Sequence, residues 1–438
     1  MNRLVLALVL LSLLAGCSGF SGGGTTAPTV EPTATETEAT TQTTAPDTST
    51  ATTRPNNTAS EPRLAVDVRG DELPVEARPV AEYVQRVQPS NVSSVTVTVD
   101  RRENMSAVAA EGGTSGLHYV FGRTEVTTFP AGGGVLIGSG GPVNVMYGPN
   151  ASDSVIANVL AHELSHRYQS DGRRQVLLDE IGREYLQTTD GGGVQRALVE
   201  GGPTYVADTY ADENLSESPN LSEEVAARWD DFGIVRRVMW SGHYLGAAYL
   251  HQRIDSPQEL DEVYADPPRT TEQVLHPERG DEPPRNLTVT ANVSASAWET
   301  GRRDVRGEMY TRILLGPALG SDRAAEAAAG WGMDRELVFF QDSDQGHAWV
   351  LRWDDAANAT EFENAFREFL DQRANATNGR WTHDGHAFDL LRVSDETVVV
   401  LWGDAGFVDG ATVTGDDGSI TVTPPATNES VRRVPVLG

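Results

Sequence analysis

Val159-Leu160-Ala161-His162-Glu163-Leu164-Ser165-His166 contains His-Glu-x-x-His, and the reading of the whole chain turns on it. On a helix, side chains four residues apart share a face, so His162 and His166 can point at one ion. Neutral imidazole is a good ligand for Zn2+. Glu163 sits one step round, where it can take a proton from a water that the metal holds. The flanks suit a helix. Asp153 can cap its start, and Val155, Ile156, Val159 and Leu160 recur at helical spacing. No Gly or Pro falls between Asp153 and Gln169. The plainer alternative is a polar helix face carrying two histidines by chance. With only 9 histidines in 438 residues, that coincidence is uncommon.

The motif resembles that of the HExxH zinc metallopeptidases, and the small and uncharged residues around it strengthen the likeness. Arg167 stands where that family more often has an uncharged residue. Such a site needs a third ligand. The best candidate is Glu200, within Ala197-Leu198-Val199-Glu200-Gly201-Gly202-Pro203-Thr204-Tyr205. A carboxylate from a second helix completes a His2Glu set and leaves the fourth position for water. This stretch resembles the gluzincin pattern Glu-Gly-x-Ala-x-Tyr. Pro203 stands where alanine is common, which leaves the helix register there open. Read alone, Glu200 could instead be a surface residue capping a helix. Asp208 is a candidate to orient one of the histidines.

Zinc peptidases also need a donor for the oxyanion that forms during attack. His243 and Tyr244 are candidates, in Trp240-Ser241-Gly242-His243-Tyr244-Leu245-Gly246. Small residues there allow close helix packing, and the tyrosines and leucines of this region can also be plain core. Further on, Pro267 to Glu278 resembles a Pro-Pro-x-Ser/Thr-Thr-Glu-Gln-x-Leu-His-Pro signature of uncharacterised HExxH surface proteins. That resemblance makes His276 a candidate oxyanion stabiliser or substrate ligand. Without it, His276 reads as a packed or solvent-facing residue. Gly330-Trp331-Gly332-Met333-Asp334-Arg335 resembles a Gly-Trp-Gly-x-Asp-Arg element of the same group and reads as a packing motif.

The formal net charge is −29, and no lysine occurs. Such a surface repels nucleic acid and anionic headgroups, which argues against nucleic-acid binding. Acidity with clear apolar periodicity suggests a folded protein adapted to high salt, where self-repulsion is screened. The composition resembles that of proteins from extreme halophiles, notably haloarchaea. Cys17 is the one cysteine, so an intramolecular disulfide and a zinc-cysteine cluster are excluded.

Residues 1–16 read as an export signal, with an apolar run over 4–14 too short to span a bilayer comfortably. Leu14-Ala15-Gly16-Cys17 resembles a lipobox, which implies cleavage before Cys17 and its lipidation. The alternative is an ordinary signal peptide with an incidental cysteine. Residues 17–62, the lipobox cysteine and a Thr/Ser/Pro-rich stretch, form a tether that cannot bury enough surface to fold. Asn-x-Ser/Thr sequons recur from Asn56 to Asn428, as in an exported glycoprotein.

Residues 63–284 read as a metallopeptidase-like domain. Its first part carries a helix at 79–87 and strands at 92–99, 119–128 and 135–147. The tract 134–146 is a candidate edge for an extended peptide. Residues 151–284 read as mainly helical. A small α+β domain follows over 285–410, with helices at 306–320, 322–330 and 358–372. Strands are expected there at 336–341 and 348–353, with a hairpin of 388–393 and 397–402. Residues 411–438 read as a loose tail.

The fold class expected is therefore α+β: a gluzincin-like region, β-containing and then helical, followed by the small C-terminal domain. The resemblance implies a zinc metallopeptidase on the cell surface, lipid-anchored to the cytoplasmic membrane and facing outward, acting on peptides or surface proteins. Two rivals stand beside it. One is a surface binding or structural protein with a zinc site; the other is a non-peptidase hydrolase using the same zinc-water chemistry.

Overall fold

The computed structural model describes residues 64–101, 117–122, 134–135, 141–216, 220–280, 282–377 and 379–426. Residues 1–62, where an export signal, a lipidated Cys17 and a tether are expected, lie outside them. The chain enters through β1 (Ala65–Gly70), α1 (Ala77–Val87) and β2 (Ser94–Arg101). β1 and β2 run parallel, so a crossover must join them, and α1 is that crossover. It buries Val80, Val84 and Val87, one stripe at helical spacing.

Leu117–Gly122 is a helix, α2, where a strand was expected from residue 119. Val120 and Phe121 favour strands in isolation, but packing decides here. Phe121 meets Phe369 edge-on at 4.8 Å, and Arg373 donates to its carbonyl over 2.7 Å. Residues 123–128 lie outside the described residues. The expected strand over 135–147 divides into β3 (Gly134–Val135) and β4 (Val143–Tyr147). The sheet order is β1-β2-β4-β3, with β4 parallel to β2 and β3 antiparallel to β4. β4 is therefore interior, and among the described residues two-residue β3 is what remains of the candidate peptide-binding edge.

The motif helix is α3 (Asp153–Gln169), packed between α1 and β4 on one side and a long helix on the other. Its cap is Ser152 rather than Asp153: Ser152 Oγ accepts from Val155 N–H at 3.3 Å. A helix buried on every side is apolar all round. That holds from Ile156 to Leu164, apart from Asn158, His162 and Glu163. After α4 (Arg173–Ile181) comes α5 (Thr189–Asn214), which carries Glu200 and runs without a break through Pro203. Then follow α6 (Leu221–Ala227) and α7 (Ile234–Ser241). A π-helical turn, Gly242–Gly246, joins α7 to α8 (Ala247–Arg253). The short α9 (Leu260–Ala265) and α10 (Thr271–Leu275) close the helical region.

The last part is built on sheets. β5 (Thr288–Ala291) and β6 (Glu299–Asp304) precede α11 (Gly307–Leu319) and α12 (Ser321–Ala328). β7 (Trp331–Gln341), β8 (Asp344–Trp353) and α13 (Ala356–Arg373) come next, then β9 (Asn375–Thr377) and β10 (Arg380–His383). β11 (His386–Arg392), β12 (Thr397–Gly403), α14 (Ala405–Gly410), β13 (Thr412–Gly415) and β14 (Ser419–Thr423) end the described chain. Seven strands pair antiparallel in the order β6-β7-β8-β12-β11-β10-β9. The expected hairpin is present, with Leu390 opposite Val400. Phe362, Phe366 and Phe369 of α13 fill one face against Trp349 and Trp353. The opposite face packs Phe339, Val350 and Leu401 against Phe407, Ile420 and Val422.

Residues 412–423 are thus not a loose tail. Ile420 and Val422 alternate inward, and β14 pairs with β5 in a three-stranded sheet. Residues 427–438 lie outside the described residues. The protein is of mixed α+β class. Among the described residues no helix is long and apolar enough to cross a membrane.

A polar seam ties the seven-stranded sheet to the start of α5. Thr189 donates to Asp304 from its N–H (2.7 Å) and Oγ1 (2.8 Å), and Asp190 N–H donates to the Val305 carbonyl at 2.9 Å. Asp334 accepts from the N–H groups of Arg306 and Gly307, both at 2.8 Å. Gly307 has φ +81°, and a Cβ there would strike the Asp190 carboxylate. Only glycine meets both demands.

Candidate metal centre

The site begins with glycines. Gly201 of α5 faces the backbone of Gly246 and Ala247, Gly242 faces Arg196 and Glu200, and Gly246 faces the Ala197 carbonyl. A Cβ at any of the three would collide, so α5 and the π turn meet backbone to backbone. That contact brings His243 beside Glu200. A π turn places one residue more than an α turn and so re-aims the side chains in it.

His166 Nε2 lies 3.1 Å from His162 Nε2 and 3.2 Å from Glu200 Oε2. His162 Nε2 lies 3.7 Å from the same carboxylate oxygen. All three side chains are buried, and their donor atoms lie within 4.8 Å of one another, a group able to hold a metal ion.

Hydrogen-bond accounting tests the fit. Gln169 Oε1, 3.2 Å from His166 Nδ1, is an acceptor, so Nδ1 carries hydrogen and Nε2 is the atom turned to the centre. Thr204 Oγ1 donates its one hydrogen to the Glu200 carbonyl at 2.8 Å, so it can only accept from His162 Nδ1, 3.4 Å away. Both imidazoles therefore present Nε2 toward the carboxylate, as a cation requires. Without an ion, burial pulls His166 down, but Glu200, Glu163 and the Gln169 bond outweigh it and hold its pKa above the usual value. Burial alone would raise Glu200; the His166 charge and the bonds from both histidines take it well below the carboxylate range. Burial depresses His162 to about 4.

Glu163 is 4 % exposed, with Oε1 3.8 Å from His162 Nε2. Burial raises it to about 8; the His166 charge opposes this and the Glu200 charge adds to it. His243 stacks on His162, centroids 5.2 Å apart, with Nε2 3.7 Å from Glu200 Oε2. Its Nδ1 is buried without a hydrogen-bond partner among the described residues. Burial lowers it to about 3, so the ring is neutral.

The other expected site residues go elsewhere. Tyr244 turns to Trp229, with ring centroids 4.9 Å apart. His276 follows α10, and its Nε2 lies 2.8 Å from Glu308 Oε1, a fully buried carboxylate. Asp208 does not touch His162 or His166. It accepts from Ser222 Oγ at 2.5 Å and lies 3.2 Å from His251 Nε2. Eight residues past Glu200, it is on the same face but more than two turns away. Its expected role falls to Gln169 and Thr204, which sequence reading passed over. Their signal was spacing: Gln169 is three residues after His166, and Thr204 four after Glu200.

Residues 295–412, within the sheet region, match a family model described as a domain of unknown function (DUF8575). Comparison with curated proteins and with solved structures returns no match.

Proposed function

We propose that this chain is a zinc-dependent metallopeptidase of gluzincin type, exported and lipid-anchored through Cys17 to the outer face of the cytoplasmic membrane. The observation carrying the reading is the convergence of His162, His166 and Glu200, with Glu163 next to the first of them. His162, His166 and Glu200 would hold a zinc ion, which would supply a Lewis acid for a water and for the scissile carbonyl. Glu163 accepts the water's proton and passes it to the leaving amine. His243, neutral and beside Glu200, donates to the oxygen that gains charge. Tyr244 and His276, the other candidates for that task, are engaged by Trp229 and Glu308. The β-containing entry followed by packed helices suits the gluzincin reading. Substrates are peptides or surface proteins, which an outward-facing anchored enzyme meets first.

One observation favours a second reading. The trio is deeply buried, and His243 is near enough to become a fourth protein ligand. A closed site of that kind belongs to a surface binding or structural protein. Glu163 counts against it, because a structural site has no use for a buried carboxylate there.

Zinc content and peptide cleavage, measured together in molar salt, separate the two. Peptidase action requires about one zinc per chain and cleavage that disappears in Glu163→Gln while the zinc stays. Loss of zinc in Glu200→Ala identifies the third ligand. Zinc without cleavage of any peptide library supports the second reading. A wild type that never holds zinc ends both.

A further inference from the structure

Pro203 interrupts the hydrogen-bond ladder of α5 directly beside the metal centre. A proline has no N–H, so the carbonyl four residues earlier loses its partner. That carbonyl belongs to Val199. Gln169 Nε2 takes it at 3.1 Å and also reaches the Leu198 carbonyl at 3.4 Å. The same amide nitrogen lies 2.8 Å from the Tyr264 hydroxyl. Gln169 is 2 % exposed, with every polar atom of its side chain engaged.

The consequence runs back to the ligand. An amide side chain has one donor end and one acceptor end. With its NH2 drawn to the freed carbonyl, Oε1 must face the other way, where it meets His166 Nδ1. We infer that Pro203 is a positioning residue for the metal centre. By leaving the Val199 carbonyl open, it fixes the orientation of Gln169, and Gln169 fixes the ring of His166 with Nε2 toward the ion. A helix-breaking residue inside a 26-residue helix thereby has a use that local stability does not explain. Proline in a helix interior is the least favourable residue for helix stability. Partners that orient a ligating histidine are worth about 10–100-fold in metal affinity.

The inference rests on the metal-centre reading and not on peptidase action. It makes an unusual demand: Pro203→Ala should strengthen the fold and weaken the centre. Alanine restores an N–H that competes with Gln169 for the Val199 carbonyl.

The test uses the full chain in molar salt. Zinc affinity is measured by chelator competition, and thermal midpoints are taken on metal-free protein. The proteins are wild type, Pro203→Ala, Gln169→Leu and the double variant. Pro203→Ala should bind zinc about tenfold more weakly while its metal-free midpoint stays level or rises. The double variant should be no weaker than Gln169→Leu alone, because both act through one side chain. The cobalt-loaded protein gives a second readout, a ligand-field spectrum that shifts in Pro203→Ala. Wild-type affinity in Pro203→Ala, or losses that simply add in the double variant, would overturn the inference. With zinc still bound by the wild type, either result leaves the metal-centre reading intact. A wild type that binds no zinc ends both.

Discussion

Asp190, the second residue of the helix that carries Glu200, accepts hydrogen bonds from both the backbone N–H and the hydroxyl of Thr271. The Tyr185 hydroxyl donates to it as well. Burial raises this carboxyl to about 7; the bonds from Thr271 and Tyr185 hold it down and the Asp334 charge pushes it further up. Its folded pKa is above the unfolded value of about 4. Between those values the native state keeps a proton that the unfolded chain has released. Stability from this group is therefore full below pH 4 and falls as pH rises to about 7. Asp190→Asn is neutral throughout and lacks that slope. Urea midpoints at pH 4.5 and pH 8 should show the wild type losing ground to the variant at the higher pH. An equal gap at both would mean that Asp190 does not titrate with folding.

Glu336 has the opposite sign. Burial would raise it, but the Arg306 charge and the His347 bond outweigh burial and lower it to about 2. It stabilises above its unfolded pKa and loses that contribution as pH falls toward 2. Arg306 is buried between it and Asp304, whose carboxylate lies 3.2 Å away, so Glu336→Gln leaves the cation with Asp304 as its remaining acid partner. The expected cost at pH 7 is about 1.5–3 kcal/mol, that of a lost hydrogen bond between charged groups. Chemical denaturation at pH 7 and pH 3 should show that penalty shrinking with acid. A penalty of the same size at pH 3 would remove the ion pair as its source.

Two glycines of the helical region should respond in opposite directions. Gly246→Ala pushes a methyl into the Ala197 carbonyl and parts the helices, at about 1–3 kcal/mol of overpacking. Gly192, in the first turns of α5, has nothing within 4 Å of where a Cβ would stand. Gly192→Ala should stabilise by about 0.5–1 kcal/mol. Thermal midpoints of the pair decide this, and a Gly246→Ala protein as stable as wild type would refute the close crossing.

Thr204 is the acceptor for His162 Nδ1. Thr204→Val keeps the shape and removes that acceptor, so zinc affinity should fall about tenfold with the fold intact. Thr204→Ser should restore it. Chelator competition on the three proteins is sufficient, and an unchanged Thr204→Val would show that the ring of His162 is held by packing alone.

Much of the centre was legible because its spacing is local. His162 and His166 are fixed by one helix, and Glu200 stood out by its neighbours. Asp208 misled because sharing a face with Glu200 does not bring it to the same level along the axis; it met His251 instead. Pro203 departs visibly from the gluzincin-like pattern, but its effect passes through Gln169, which no one-dimensional pattern joins to it. The helix at 117–122 was missed because Val120 and Phe121 carry strand propensity, and Phe369 and Phe388, which decide otherwise, are distant in sequence. The strands after residue 411 were missed because their partner β5 is far upstream.

The seam between Asp304, Asp334 and the start of α5 also sets an order of events in biogenesis. Chains are made from the N-terminus. His162, His166 and Glu200 therefore exist before Asp304 and Asp334 have been added. Until they are, the first turn of α5 lacks the acceptors that hold Thr189 and the Val305 carbonyl that holds Asp190. A chain stopped before Asp304 therefore holds every residue of the candidate centre but not the groups that fasten the first turn of the helix bearing Glu200.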